Sequence, residues 1–267
     1  MGKVLDFKNM HKKNELLFLP NAWDLLSAII LEQAGFKAIG TTSWGVANAM
    51  GYKDGERIQF DDLYALVKKM TAVIEIPVTV DVESGYSDSA TIVADNVLKI
   101  ADLGVVGINI EDSLKTASGL KDISLQCELI AKLKNKLDSA GYGDFFINAR
   151  VDTYLQKQDP LAETIERASA YVESGADGVF VPGLWQQDEI ARLVNVTKAP
   201  LNIMSLPNMT NLNGLNELGV RRFSLGATFS DAVIAFIETQ AQRLFTEQST
   251  EMLYAHSHIE TLFRLGK

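Results

Sequence analysis

A closed (β/α)8 TIM barrel is the fold this sequence predicts, and three observations predict it. Eight short apolar segments of strand length alternate with segments of helical period. Gly35, Gly104, Gly175 and Gly219 each end a helical segment just before an even-numbered strand, while Pro77 and Pro200 introduce odd-numbered ones. A helix-stop-strand unit that recurs in this way points to repeated βα units. Charged residues gather at the carboxyl ends of the strands, where this fold carries its chemistry. Eight units in 267 residues, with no Pro/Ser/Gly-rich linker between them, favour one barrel domain over residues 1–267 rather than an open sheet.

Taken in order, Leu16-Leu17-Phe18-Leu19-Pro20 reads as the first strand, closed by proline, and Trp23 to Ala34 as a helix stopped by Gly35. Ala38 to Ser43 is a second strand with a polar end. Trp44 to Gly55 is small, Gly-containing and irregular, a functional loop that delivers Asp54 before Phe60 to Val73 resumes the helical period. The third strand, Val78 to Val82, is a β-branched run that stops at Asp81 and Glu83, with Gly85 in the turn that follows. Ser89 to Leu103 is helical. Val105 to Ile110 is the fourth strand, ending in Glu111-Asp112, and the loop Ser113 to Asp122 leads to a helix from Ser124 to Leu137. Phe145 to Arg150 is the fifth strand, Pro160 to Ser174 a helix with proline in its first turn, and Gly178 to Pro182 the sixth strand. Glu189 to Val196, Leu201 to Met204, Arg222 to Leu225 and Ser230 to Thr246 complete the alternation.

Residues 248–267 lie beyond the eighth unit as a helical extension. Leu253, Ile259, Leu262 and Phe263 form an apolar stripe there. It packs either on a neighbouring subunit or back on the barrel's own helices; periodicity does not separate the two.

Composition narrows the function. The formal charge of −9, from 34 acidic and 25 basic residues, argues against nucleic acid or an anionic membrane as partner and for a small substrate. No apolar run approaches the ~20 residues of a spanning helix, and no signal peptide is apparent. One cysteine, Cys127, allows no internal disulfide and points to the reducing cytoplasm. His11, His256 and His258 lie near the termini, which disfavours a histidine base or a histidine-bound zinc. No Gly-x-Gly-x-x-Gly or Walker-type loop appears.

Burying Asp81 and Glu83 without compensation is costly, and no Lys or Arg lies in their segment, so a hard divalent cation with oxygen ligands is a natural partner, Mg²⁺ first. On that segment alone, a second reading is that one acid only caps the helix that follows. In a barrel, Ser43, Asp81, Glu83, Glu111 and Arg150 end strands two to five and Asp54 enters from the loop, bringing four acids and one arginine to one mouth. Such carboxylates repel one another unless a cation neutralises them. Mg²⁺ keeps several waters and one or two direct carboxylates, the other acids holding those waters. Arg150 either grips an anionic substrate or pairs with an acid inside the barrel. Thr42 and Ser43 either cap the next segment or contact the ligand.

The ordered series Thr42-Ser43-Trp44-Gly45-Val46-Ala47, Gly51 to Asp54, Asp81 to Tyr86, Asn109-Ile110-Glu111-Asp112, Asn148 to Thr153 and Phe180-Val181-Pro182-Gly183 resembles the isocitrate lyase/phosphoenolpyruvate mutase superfamily from about Asn21 to Gly226. The resemblance implies a barrel whose last helix is exchanged between subunits of a homo-oligomer, a dimer of dimers. It also implies Mg²⁺-dependent cleavage or formation of a C–C or P–C bond beside an α-keto or α-hydroxy carboxylate, with Mn²⁺ as an alternative metal. By that resemblance Asp81 binds the metal directly, and Asp54, Glu83 and Glu111 hold its waters. Thr42, Ser43, Trp44, Arg150 and Asn202 form the substrate-binding set, and Arg150, Ser43 and Asp54 are the expected catalytic residues.

The chain also departs from that pattern. The loop Ser113 to Lys121 has neither the Lys-Lys-Cys-Gly-His run of the isocitrate and methylisocitrate lyases nor the asparagine of the phosphonomutases. Glu83 stands where many members carry aspartate. The leading expectation is therefore C–C cleavage beside a small α-keto acid through an enolate. Phosphonopyruvate mutase or hydrolase chemistry is the alternative, and a non-catalytic keto-acid-binding barrel the third reading.

Overall fold

The protein is described by a computed structural model covering residues 2–12, 14–115, 118–207, 209 and 211–254. Nine parallel strands form one sheet: β1 (Leu17–Leu19), β2 (Asn21–Ala22), β3 (Ile39–Thr41), β4 (Val78–Asp81), β5 (Gly107–Glu111), β6 (Phe146–Arg150), β7 (Gly178–Phe180), β8 (Leu201–Met204) and β9 (Arg222–Ser224). Each from β2 to β9 pairs with its neighbour in sequence, and β1 pairs with β9, Leu17 opposite Arg222. β1 and β2 are two halves of one stave split at Pro20, which has no N–H for the ladder. The Pro20 carbonyl still accepts from Gly40 N at 2.9 Å, so nine strands fill eight positions and the barrel closes.

The helices are α1 (Lys3–Met10), α2 (Leu25–Gln33), α3 (Ser43–Ala49), α4 (Phe60–Val73), α5 (Ala90–Asp102), α6 (Ile123–Ser139), α7 (Thr153–Gln156), α8 (Leu161–Glu173), α9 (Gln187–Thr197), α10 (Leu212–Glu217) and α11 (Thr228–Glu247). Gly35, Gly104, Gly175 and Gly219 follow α2, α5, α8 and α10 with φ between +87° and +110°, the left-handed stop expected of them.

Strand alternation divides the side chains into two layers. Outward residues such as Val80, Ile108, Ile110 and Ile147 pack against Val93, Val97, Ile100 and Leu133 of α5 and α6. The inward layer is polar: Asn148 Nδ2 donates to Asn109 Oδ1 at 2.9 Å and to Asn202 Oδ1 at 3.2 Å, and Asn202 Nδ2 donates to Ser224 Oγ at 3.0 Å. α1 closes the amino-terminal end. His11 stacks on Phe146 with centroids 4.1 Å apart, and burial beside the Arg222 charge pushes its pKa down to about 3, which keeps it neutral.

Four short helices depart from the sequence reading. Ser43–Ala49 is helical where a loop was expected, because Thr42 caps it and Val46 and Ala47 bury against the core. α1, α7 and α10 lack a clear apolar period. Three asparagines and Gly214 within 211–217 mask α10, which Asn211 caps by accepting from Gly214 N at 3.1 Å. In α11 only Ser230 is buried, while Phe236, Ile237 and Phe245 are exposed. Beyond it Glu251–Tyr254 forms a 3₁₀ turn. Residues 255–267, with Ile259, Leu262 and Phe263 of the expected apolar stripe, lie outside the described residues. No helix among the described residues is long and apolar enough to cross a membrane.

Candidate active site

β4 is buried along its whole length and delivers Asp81 to the carboxyl end of the barrel. Asp81 N donates to Thr41 Oγ1 at 2.9 Å, and Asp81 Oδ1 accepts from Glu83 N at 3.2 Å. The chain then reverses. Glu83 adopts φ +50°, and at Gly85, φ +107°, a Cβ would fall 2.3 Å from Val93 Cγ1, so only glycine lets the turn sit on α5. Glu111 N donates to Glu83 O at 2.8 Å, tying the third and fourth acids together through the backbone. Neither Asp81 nor Glu83 caps α5, which begins after Ser89.

Glu56, from the loop after α3, is the residue sequence reasoning missed. Its Oε1 accepts from Ser84 N (2.9 Å), Ser84 Oγ (2.7 Å) and Tyr86 N (3.1 Å), and its Oε2 pairs with Lys115. Its own N–H donates to Glu83 Oε2 at 2.7 Å, and Tyr86 OH donates to Glu83 Oε1 at 3.1 Å. One glutamate thus clamps the β4 turn and fixes Glu83. Nothing in its spacing marks it, since Asp54 two residues earlier fits the same pattern of a polar loop.

Arg150 ends β6 opposite Glu111 of β5. Its Nη1 lies 2.9 Å from Glu111 Oε2 and 3.9 Å from Asp81 Oδ2, and its Nε donates to Asp152 Oδ1 at 2.6 Å. The arginine is therefore an internal ion-pair partner that also lines the mouth cavity of about 150 Å³, together with Thr42, Ser43, Trp44, Asp54 and Asp81. Thr42 caps α3 through Gly45 N at 3.4 Å, and the remaining first-turn amides, those of Ser43 and Trp44, have no acceptor within the helix and belong to residues that line the cavity. Trp44 Nε1 donates to Asp231 Oδ1 at 2.8 Å, linking the mouth to α11.

Acid outweighs base here. Burial, then the charges of Asp81, Asp54 and Glu56, push the Glu83 pKa up to about 8. Burial also raises Asp81 and Glu111, with Arg150 opposing in both cases. Burial works against the Arg150 charge, but Glu111, Asp152 and Asp81 together hold its pKa above the ordinary value. Among the described residues no three His, Cys, Asp or Glu side chains converge as direct ligands of one metal ion. The donor set still fits Mg²⁺, which takes few carboxylates directly and keeps waters for the rest.

Of the expected residues, Thr42, Ser43, Trp44, Asp54, Asp81 and Arg150 line the cavity. Glu83 and Glu111 stand behind them, and Asn202, 1% exposed, lies in the polar layer below, bonded to Asn148 and Ser224.

The barrel carries acids and an arginine at its carboxyl mouth, and the relatives it matches are lyases and mutases, so the chain is an enzyme of that class. It belongs to the phosphoenolpyruvate phosphomutase family, whose profile matches residues 7–245, within the PEP mutase/isocitrate lyase superfamily of C–C lyases and phosphonomutases. It is 41% identical over 224 residues to the Mycobacterium tuberculosis "Uncharacterized protein Rv1998c", covering 84% of this chain and 82% of that one. It is 28% identical over 200 residues to 2-methylisocitrate lyase of Salmonella typhimurium, covering 73% and 67%. A crystal structure from Burkholderia cenocepacia J2315, provisionally described as a phosphonomutase, superposes with a TM-score of 0.86 at 34% identity, covering 90% of this chain and 99% of that one.

Proposed function

We propose that the protein is a Mg²⁺-dependent carbon–carbon lyase that cleaves the bond next to a small α-keto or α-hydroxy carboxylate through an enolate. The observation that carries this reading is the surplus of carboxylates at the mouth, buried Asp81 and Glu83 and mostly covered Glu111, over Arg150, which reaches Asp81 and Glu111. Asp81 would hold the cation directly, with Asp54, Glu83 and Glu111 on its waters; Mn²⁺ could replace Mg²⁺. When bound, the ion supplies charge stabilisation to the oxygens of the keto acid. The Ser43 and Trp44 amides and the Ser43 hydroxyl orient the substrate carboxylate, and Arg150 offsets the negative charge that develops on the enolate oxygen. Asn202 acts from below, holding the polar layer beneath the cavity.

The exposed Phe236, Ile237 and Phe245 of α11 support a homo-oligomer, a dimer of dimers, in which α11 and residues 248–267 pack on a partner subunit and 1–267 is one barrel domain. A cytoplasmic location accords with the lone Cys127. Phosphonopyruvate mutase or hydrolase chemistry is the second reading, supported by 25% identity over 261 residues to the phosphoenolpyruvate phosphomutase of Tetrahymena pyriformis. Turnover of a keto-acid panel decides between them. Mg²⁺-dependent release of pyruvate or oxalate, abolished by EDTA and restored by Mg²⁺, supports the lyase, whereas phosphate or phosphoenolpyruvate from phosphonopyruvate alone supports the alternative.

A further inference from the structure

The mouth cavity is chemically two-sided. In a ring of eight staves β8 stands four places from β4, and β7 four places from β3, so the ends of β7 and β8 face Asp81 and Thr41 across the opening. The near half carries Ser43, Asp54 and Asp81, while the far half carries Leu155, Phe180, Pro182 and Met204, with Ser224 beside Met204 and Arg150 at the border, in register with Phe180. This far wall is built into the fold. Phe180 lies 5.8 Å from the Arg150 guanidinium, and Met204 packs so closely on Gly226 that a Cβ there would meet its sulfur at 2.5 Å. Leu155 rests on Gly183, where a Cβ would meet its Cδ2 at 3.2 Å.

Among the described residues lining the cavity Arg150 is the only Lys or Arg, and Glu111, Asp152 and Asp81 share its charge. Lys115 and Lys121, from the loop after β5, are directed elsewhere, one paired with Glu56 and the other 3.5 Å from the Ser84 carbonyl. A second carboxylate or a phosphonate reaching the far wall would lose its water against carbon, and Arg150, the cation beside that wall, already has its charge shared by three acids. An alkyl or aryl group would gain by the same move.

We infer that the substrate is a monoanionic keto or hydroxy acid whose remainder, lying on the Leu155–Phe180–Met204 wall, is an uncharged alkyl or aryl group. The inference rests on the reading of the near half as the Mg²⁺ and keto-acid site, so the test separates the two. Calorimetric titration of the full-length protein in Mg²⁺ is run first with oxalate, which tests the near half alone. It is then run with 2-oxopentanoate and 2-oxoglutarate, acids of equal chain length that differ in the second carboxylate. Oxalate binding together with a preference of roughly tenfold or more for 2-oxopentanoate is the expected result, and Leu155→Lys, at the half-exposed rim, should narrow that ratio. Oxalate binding with equal or tighter binding of 2-oxoglutarate overturns the inference and leaves the lyase reading standing. No oxalate binding in Mg²⁺ overturns both.

Discussion

Arg150 and Glu111 are in-register partners on β6 and β5, and their side chains meet at 2.9 Å with little access to water. The arginine that faces the substrate cavity is thus also the counter-ion of the acid layer behind it. Arg150→Ala should cost about 3–5 kcal/mol, because Glu111 and Asp152 are left buried without their cation, and should lower kcat by roughly 10²–10³. Arg150→Lys should recover part of the stability and less of the rate, since an ammonium cannot reach both acids in the same geometry. Urea unfolding and steady-state kinetics measure both; an unchanged midpoint for the alanine variant would refute the structural half.

Glu83 makes metal binding pH-dependent. Its metal-free pKa of about 8 means that a cation, which favours the ionised carboxylate, displaces a proton at neutral pH. Apparent Mg²⁺ affinity should therefore rise by up to roughly tenfold per pH unit below 8 and level off above it. The sign for stability follows. The folded pKa lies above the ordinary 4.5, so the contribution of Glu83 to metal-free stability is present below 4.5 and lost as pH rises through 8. Calorimetry in buffers of different ionisation enthalpy counts the released protons, and Glu83→Gln should lower that count.

Glu56→Ala should free Ser84, Tyr86 and Lys115 at once. A loss of about 1–3 kcal/mol is expected from the stranded donors, with faster proteolysis near Lys115 and Lys121 and weaker Mg²⁺ binding through the displaced Glu83. Limited trypsin digestion reads the loop directly, and a digestion rate equal to that of the unmodified protein would deny Glu56 its clamping role.

The α11 face predicts assembly. Phe236→Glu with Ile237→Glu should convert the oligomer to smaller species on size-exclusion chromatography with light scattering, because two charges cannot be buried in an apolar interface. The barrel itself should keep its thermal transition within a few degrees, since both side chains are more than half exposed in the single chain. An unmodified protein that runs as a monomer would remove the proposal.

Much of this was legible in the chain. Helix-stopping glycines and strand-ending charges are local signals, so the barrel and the placement of Ser43, Asp54, Asp81 and Arg150 at one mouth follow from them, while Thr42 and Trp44 were assigned there by the family resemblance. The division of the first stave at Pro20 was half legible, as a proline closing a strand, but not the resumption at Asn21, which depends on β3 supplying the ladder. Glu56 was invisible because its partners, Ser84, Tyr86 and Lys115, lie 28 to 59 positions away and are brought to it only by the β4 and β5 loops. Asp152 was read as part of a motif without a partner; its contact with Arg150 Nε needs the turn after β6. The apolar far wall could not be read either, since Leu155, Phe180 and Met204 look like ordinary core residues until the ring of strands sets them opposite Asp81.

The most direct measurement is calorimetric titration of Mg²⁺, followed by oxalate, into the unmodified protein and into Asp81→Ala. The account predicts that the unmodified protein binds oxalate only with Mg²⁺ present, and that Asp81→Ala binds neither and has lost turnover while keeping its fold by circular dichroism. Mg²⁺ binding and turnover retained in Asp81→Ala would contradict it.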